Sequence, residues 1–108
     1  MIPLPWPPSN LSPNARTHWA VKAKAFRAYK FQCFAVLSQH RERLRGKADF
    51  ALRFCPPSAR RADLDNMLAA FKGGIDALSE VTGVDDSEFS FAIAKGKPVK
   101  GGVVEVAA

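Results

Sequence analysis

Apolar and polar positions change period along the chain, and each change predicts an element. Residues 3 to 14 hold Pro3, Pro5, Pro7, Pro8 and Pro13, a spacing that favours extended chain and turns and allows at most a short edge strand over Met1 to Leu4. From about Arg16 to Leu44 neither Pro nor Gly occurs. Trp19, Ala23, Phe26, Cys33 and Leu37 recur there at helical intervals, while Lys22, Lys24, Arg27, Lys30, Arg41 and Arg43 fill the other faces. The spacing predicts one long basic helix, ended by Gly46. The period then falls to two: Ala48, Phe50, Leu52 and Phe54 alternate with Asp49, Ala51 and Arg53, a half-buried strand closed by Pro56-Pro57. A second helix follows, capped by Asp63 or Asp65, with Leu64, Leu68, Phe71, Ile75 and Leu78 as its apolar stripe and an end around Val81 to Gly83. Phe89, Phe91 and Ile93 alternate as a strand, and Val103 to Val106 form another. The basic run from Lys95 to Gly102 reads as a hairpin loop joining the two.

These elements predict one α+β domain over residues 1–108, a small mixed sheet packed with the long N-terminal helix and the second, central helix. A chain of 108 residues has little core to spare. Gly73-Gly74 inside the central helix costs about 1 kcal/mol per residue relative to Ala, so close approach of another backbone, a second subunit being one candidate, is expected to offset it. No apolar run approaches the ~20 residues of a membrane span. Met1 to Trp6 lack a charged and then apolar leader, which makes the cytoplasm the expected compartment. Cys33 and Cys55 form no Cys-x-x-Cys and are expected as buried free thiols, and His18 and His40 lack the spacing of a metal pair.

Charge changes the picture. Residues 63 to 88 hold Asp63, Asp65, Asp76, Glu80, Asp85, Asp86 and Glu88 against Lys72 alone, a net −6 in a chain whose total is +6, whereas residues 16 to 61 carry +10. A knot of carboxylates in a cationic frame repels itself and any polyanion unless a positive group fills it, most simply a divalent metal. Hard oxygen ligands suit Mg²⁺ or Mn²⁺, ions that keep waters and phosphate oxygens in their coordination sphere and assist phosphodiester hydrolysis. If residues 65 to 80 form one continuous helix, Lys72 and Asp76 fall within roughly 20° of Asp65 on a single stripe, with Asp63 just before it and Asp85-Asp86 returning from the loop after it.

Simpler readings stand beside this one. Asp63 and Asp65 serve equally as helix caps, Asp85-Asp86 as an ordinary turn, and Lys72 with Asp76 as a surface i,i+4 pair worth about 0.3–0.5 kcal/mol. A calcium loop of EF-hand type fails, because Leu68 stands where Gly is required and Gly74 where Glu is required. No phosphate-binding GxxxxGK[ST] loop occurs. Pro5-Trp6-Pro7-Pro8 meets a minimal PxxP pattern of low specificity.

Leu4-Pro5-Trp6-Pro7-Pro8-Ser9-Asn10, then Arg16-Thr17-His18, Arg61-Ala62-Asp63-Leu64-Asp65-Asn66 and Asp85-Asp86-Ser87 before a strand, taken in order and spacing over nearly the whole chain, resemble the RusA family of Holliday-junction resolvases. The resemblance implies a small α+β fold acting as a homodimer with Mg²⁺ (Mn²⁺ substituting) and no small-molecule cofactor. It implies cutting of four-way DNA junctions by paired symmetric nicks in recombination, repair or phage DNA processing. Carried over by position, it makes Asp63, Asp65 and Asp86 the catalytic metal ligands, with Asp85 and Asp76 as secondary members. The family's lysine is expected one turn after Asp65, where this chain has Ala69. Lys72, the nearest alternative, is given its role, and Ala62 replaces an Arg that commonly precedes the first Asp. Arg16, Lys22, Arg27, Arg60, Arg61, Lys95, Lys97 and Lys100 are the expected DNA contacts. A catalytically silent branched-DNA-binding module of the same fold is the alternative. A domain that docks a basic protein partner through its acidic segment is a third reading.

Overall fold

Four strands and four helices follow one another in a computed structural model that describes residues 1–60 and 62–108. Strand β1 (Ile2–Pro5) leads through a Pro-rich segment to α1 (Trp19–Ser38) and the single turn α2 (Arg41–Leu44). Then come β2 (Asp49–Cys55), α3 (Leu64–Ala70), α4 (Lys72–Thr82), β3 (Ser90–Lys95) and β4 (Val103–Ala107). The order across the sheet is β1-β4-β2-β3, with β4 antiparallel to both its neighbours and β2 parallel to β3. The architecture is α+β with a mixed sheet, as the residue pattern predicts. Among the described residues no helix is long and apolar enough to cross a membrane.

The alternation in β2 works as expected: Phe50, Leu52 and Phe54 are buried on the helix-covered face while Asp49, Ala51 and Arg53 face outward. Leu52 stands between Val106 of β4 and Ile93 of β3. Parallel pairing of β2 with β3 needs a crossover of a dozen or more residues, and α3 with α4 provides it. The expected hairpin between the last two strands does not form, because β2 lies between them. The loop from Gly96 instead crosses the end of β2, its amides at Gly96 and Val99 donating to the carbonyls of Phe54 and Pro56, each at 2.9 Å.

The long basic helix is shorter than expected. It begins at Trp19, where the His18 Nδ1 accepts from the Ala20 amide at 3.2 Å, and ends at Ser38, whose hydroxyl donates back to the Phe34 carbonyl at 2.6 Å. Such back-bonding competes with the helical ladder, and α2 continues only after a turn. The seam that meets the core is Tyr29, Cys33 and Leu37, spaced by four. Trp19, at the head of the expected stripe, is 77% exposed. Tyr29 was not in that stripe, yet it is almost wholly buried, because its hydroxyl donates to the Pro5 carbonyl at 2.7 Å and so carries no unpaired polar atom into the interior. Cys33 and Cys55 are free and buried, and burial raises the Cys33 thiol to a pKa of about 11.

The central helix is two helices. Phe71 leaves helical geometry (φ −85°, ψ 7°), and its ring folds inward between Tyr29 and Phe54, edge-on to both with centroids 6.4 and 5.8 Å away. The buried positions are therefore Met67, Phe71, Ala77 and Leu78, while Leu64, Leu68 and Ile75 are only half-buried. Gly74 makes the inward fold possible: a Cβ there would come within 2.2 Å of the Phe71 ring. A Cβ on Gly73 would stand 3.3 Å from the Tyr29 ring and 3.4 Å from the Lys30 nitrogen. The backbone that approaches Gly73 is thus α1 of the same chain, Gly74 is met by the Phe71 ring, and the pair gives no support to a second subunit.

Candidate active site

The break at Phe71 also rearranges the acidic residues. A stripe through Asp65, Lys72 and Asp76 presupposes one uninterrupted helix, and only its second half survives. On α4, Lys72 donates to Asp76 one turn on and, at 3.2 Å, to Asp86 from the loop before β3. Two carboxylates fourteen or fewer residues from the lysine thus converge on one ammonium. Those hydrogen bonds, the one that Asp76 accepts foremost, hold Lys72 above the ordinary lysine pKa against a smaller opposing effect of desolvation, with Asp86 adding to the rise. All three groups are reachable by solvent: the Lys72, Asp76 and Asp86 side chains are 54, 27 and 40% exposed. A large ligand can therefore approach them.

Asp85 acts as the simpler reading has it. Its Oδ1 accepts from the Ser87 amide at 2.9 Å and caps the one-turn 3-10 helix Asp86–Glu88. That backbone hydrogen bond, with the one to its side chain, holds its carboxyl below the ordinary range. The cap aims the next residue, Asp86, at Lys72. Asp63 behaves in the opposite way. It occupies the N-cap position of α3 in extended conformation (φ −87°, ψ 136°), yet its side chain makes no capping hydrogen bond. Instead it lines a cavity of about 440 Å³ with Trp6, Pro7, Asn14, Asn66 and Met67. The Pro-rich segment forms one wall: Pro7 leads into an extended Pro8, and a single 3-10 turn, Ser9–Leu11, follows. Asp65 lies exposed in the first turn of α3.

The carboxylates therefore stand in two groups, Asp76 with Asp86 around Lys72, and Asp63 on the cavity wall. Among the described residues, no three His, Cys, Asp or Glu side chains gather closely enough to form one metal cluster, so the expected joint set of Asp63, Asp65, Asp85 and Asp86 is not assembled within this single chain. Asp76, a secondary member in the sequence reading, is the more central residue. Its i,i+4 spacing from Lys72 was the available signal. Trp6 and Asn14 as cavity walls carry no local signal, since their neighbours come from another part of the chain.

The basic residues divide similarly. Lys95 donates to the carbonyl of Ala62, the residue before Asp63, at 3.3 Å. Lys22 and Arg27 share a second cavity with Lys72. Arg16, Arg60, Lys97 and Lys100 are exposed, and Arg61 lies outside the described residues. Lys30, not singled out by sequence, pairs with Glu80 at 2.7 Å across the packed faces of α1 and α4.

No family model matches the chain. An uncharacterized protein of Xylella fastidiosa is 36% identical to it over 95 residues, which is 82% of this chain and 61% of the relative. The chain thus spans about three fifths of the length of the curated protein it matches.

Proposed function

We propose that the chain is a RusA-like, structure-selective endodeoxyribonuclease that resolves four-way DNA junctions as a homodimer, with Mg²⁺ or Mn²⁺ as cofactor. The observation that carries this reading is the convergence of Asp76 and Asp86 on Lys72, since it draws together residues that the resemblance marks in two separated segments. Asp63 supports it, as a carboxylate at a capping position that is not spent on capping. The donor chemistry fits a hard divalent ion, which needs only one or two protein carboxylates when phosphate oxygens and water complete its shell. Asp86 with Asp76 is the pair that would hold it, while Asp63 and Asp65 stand apart at the start of α3. When bound, the ion supplies Lewis acidity at the scissile phosphate.

The chain's own groups contribute the rest. Lys72 presents a fixed ammonium that offsets charge developing on the phosphate oxygens. Asp85 positions Asp86 through the turn it caps. Lys95, held on the Ala62 carbonyl, brings positive charge to the loop that leads into α3, where it offsets repulsion of a polyanion. A C2 dimer presents two equivalent sites to the opposing strands of a junction, which one subunit cannot do at once.

Asp86→Asn tests the reading. With a labelled four-way junction and Mg²⁺, cleavage is expected to fall about 10²–10³-fold, while junction binding holds or tightens because a negative charge beside phosphate is gone. Unchanged cleavage overturns the site. A catalytically silent junction-binding module is favoured by one observation: Lys72 already neutralises Asp76 and Asp86. Sustained cutting of the junction by the wild-type chain with Mn²⁺ excludes that alternative.

A further inference from the structure

The first two turns of α1 stand away from the core. Trp19 is 77% exposed, although burying its ring would be favourable. It is held in place from behind: the His18 ring lies against it, centroids 5.6 Å apart and tilted by 31°, and His18 is itself fixed by its hydrogen bond to the Ala20 amide. Lys22, Phe26 and Arg27 follow at helical spacing on the same side. With Ala69 and Lys72 across the gap, they enclose an apolar groove of about 580 Å³, within the range of about 300–1,000 Å³ usual for ligand sites. Three cations and no carboxylate line it.

An aromatic platform with flanking cations suits one class of occupant, a chain of flat apolar groups joined by anions. A base-paired duplex offers phosphates and base edges but keeps its base faces stacked, and so would leave Trp19 without a stacking partner. A second copy of this chain fits poorly, since a two-fold contact would set Lys22, Arg27 and Lys72 near their own symmetry mates. The groove also has a direction, because Lys72 both lines it and donates to Asp86.

We propose that the groove binds unpaired DNA at a strand-exchange point: Trp19 stacks on an opened base, Lys22 and Arg27 take the flanking phosphates, and the strand runs on to Lys72 and Asp86. This rests on the nuclease reading and names the part of the substrate that is recognised. Selectivity for a branch then comes from bases that only a branch or a single strand exposes.

The test uses the full chain in EDTA with three probes: a thymidylate oligomer of about 16 nucleotides, a plain duplex and a four-way junction. Binding of the oligomer is expected to quench tryptophan emission. Trp19→Ala is expected to weaken oligomer and junction binding about 5- to 100-fold, the worth of one base–aromatic stack, with duplex binding unchanged. Trp19→Tyr should restore most of the loss. Because Trp19 is exposed, the alanine variant is expected to fold, and its circular dichroism checks that. Trp19→Ala that binds the oligomer like wild type, or loses all three probes equally, overturns the inference while Mg²⁺-dependent junction cutting still upholds the nuclease. Emission that shifts with protein concentration in the absence of DNA assigns the groove to self-association and overturns it too. Failure of the wild-type chain to bind any of the three probes overturns both readings together.

Discussion

The two faces of α4 lie within one helical turn of each other and obey different physics. The inner face, Gly73, Gly74, Ala77 and Leu78, is pressed against α1 and the Phe71 ring with no room for a single added methyl at Gly74. The outer face carries Lys72, Asp76 and Glu80, open to solvent and held by ion pairs. Inside, shape decides, because dense packing makes each methyl felt. Outside, exposed ion pairs add little stability, so charged residues are free to be arranged for a ligand. The inner face thus fixes the position from which the outer face works.

Three changes sharpen this contrast. The largest effect is expected outside and is purely functional: Lys72→Met lowers Mg²⁺-dependent junction cleavage by about 10²–10³-fold, while urea unfolding moves by less than about 0.5 kcal/mol. A stability loss several times larger would show that the Lys72 pairs hold the fold. On the inner face, Gly74→Ala gains helix propensity but drives a methyl into the Phe71 ring, and overpacking of a closed core is expected to dominate, with a net loss of about 1–3 kcal/mol. A stabilised Gly74→Ala would mean that the ring gives way.

The smallest effect concerns pH. The Cys33 thiol, raised by burial from 9.0 to about 11, holds its proton more tightly folded than unfolded. Its contribution is fully present below about pH 9, and stability falls as pH rises through the window between 9.0 and about 11. Tyr29 is shifted upward from 10.0, chiefly by desolvation, and adds a loss of the same sign above its ordinary value. Cys33→Ala should flatten the lower part of this alkaline decline in thermal unfolding. An unaltered slope would assign the decline to other groups.

Much of this molecule was legible in local pattern. The alternation of Phe50, Leu52 and Phe54 located β2, Gly83 closed α4 with its left-handed backbone (φ 74°), and the spacing of Lys72 and Asp76 foretold their pairing. Each depends on neighbours close in sequence. Phe71 shows where such reading stops: its position in a regular apolar stripe gave no hint that the helix would break there, since the break follows from the space between Tyr29 and Phe54. Trp19 shows the reverse error, an apolar residue in phase with a core face yet beyond the reach of that core.

Composition and spacing by themselves determined an α+β domain, the strands of its sheet, two buried thiols and an acidic segment set in a basic chain, because propensity, periodicity and charge are properties of residues and their near neighbours. Strand order, the crossover that replaced a hairpin, the choice of α1 as the partner of Gly73 and of the Phe71 ring as that of Gly74, and the meeting of Asp86 with Lys72 were decided only in three dimensions. These depend on which distant surfaces fill the same space, and that is settled by packing the whole chain at once.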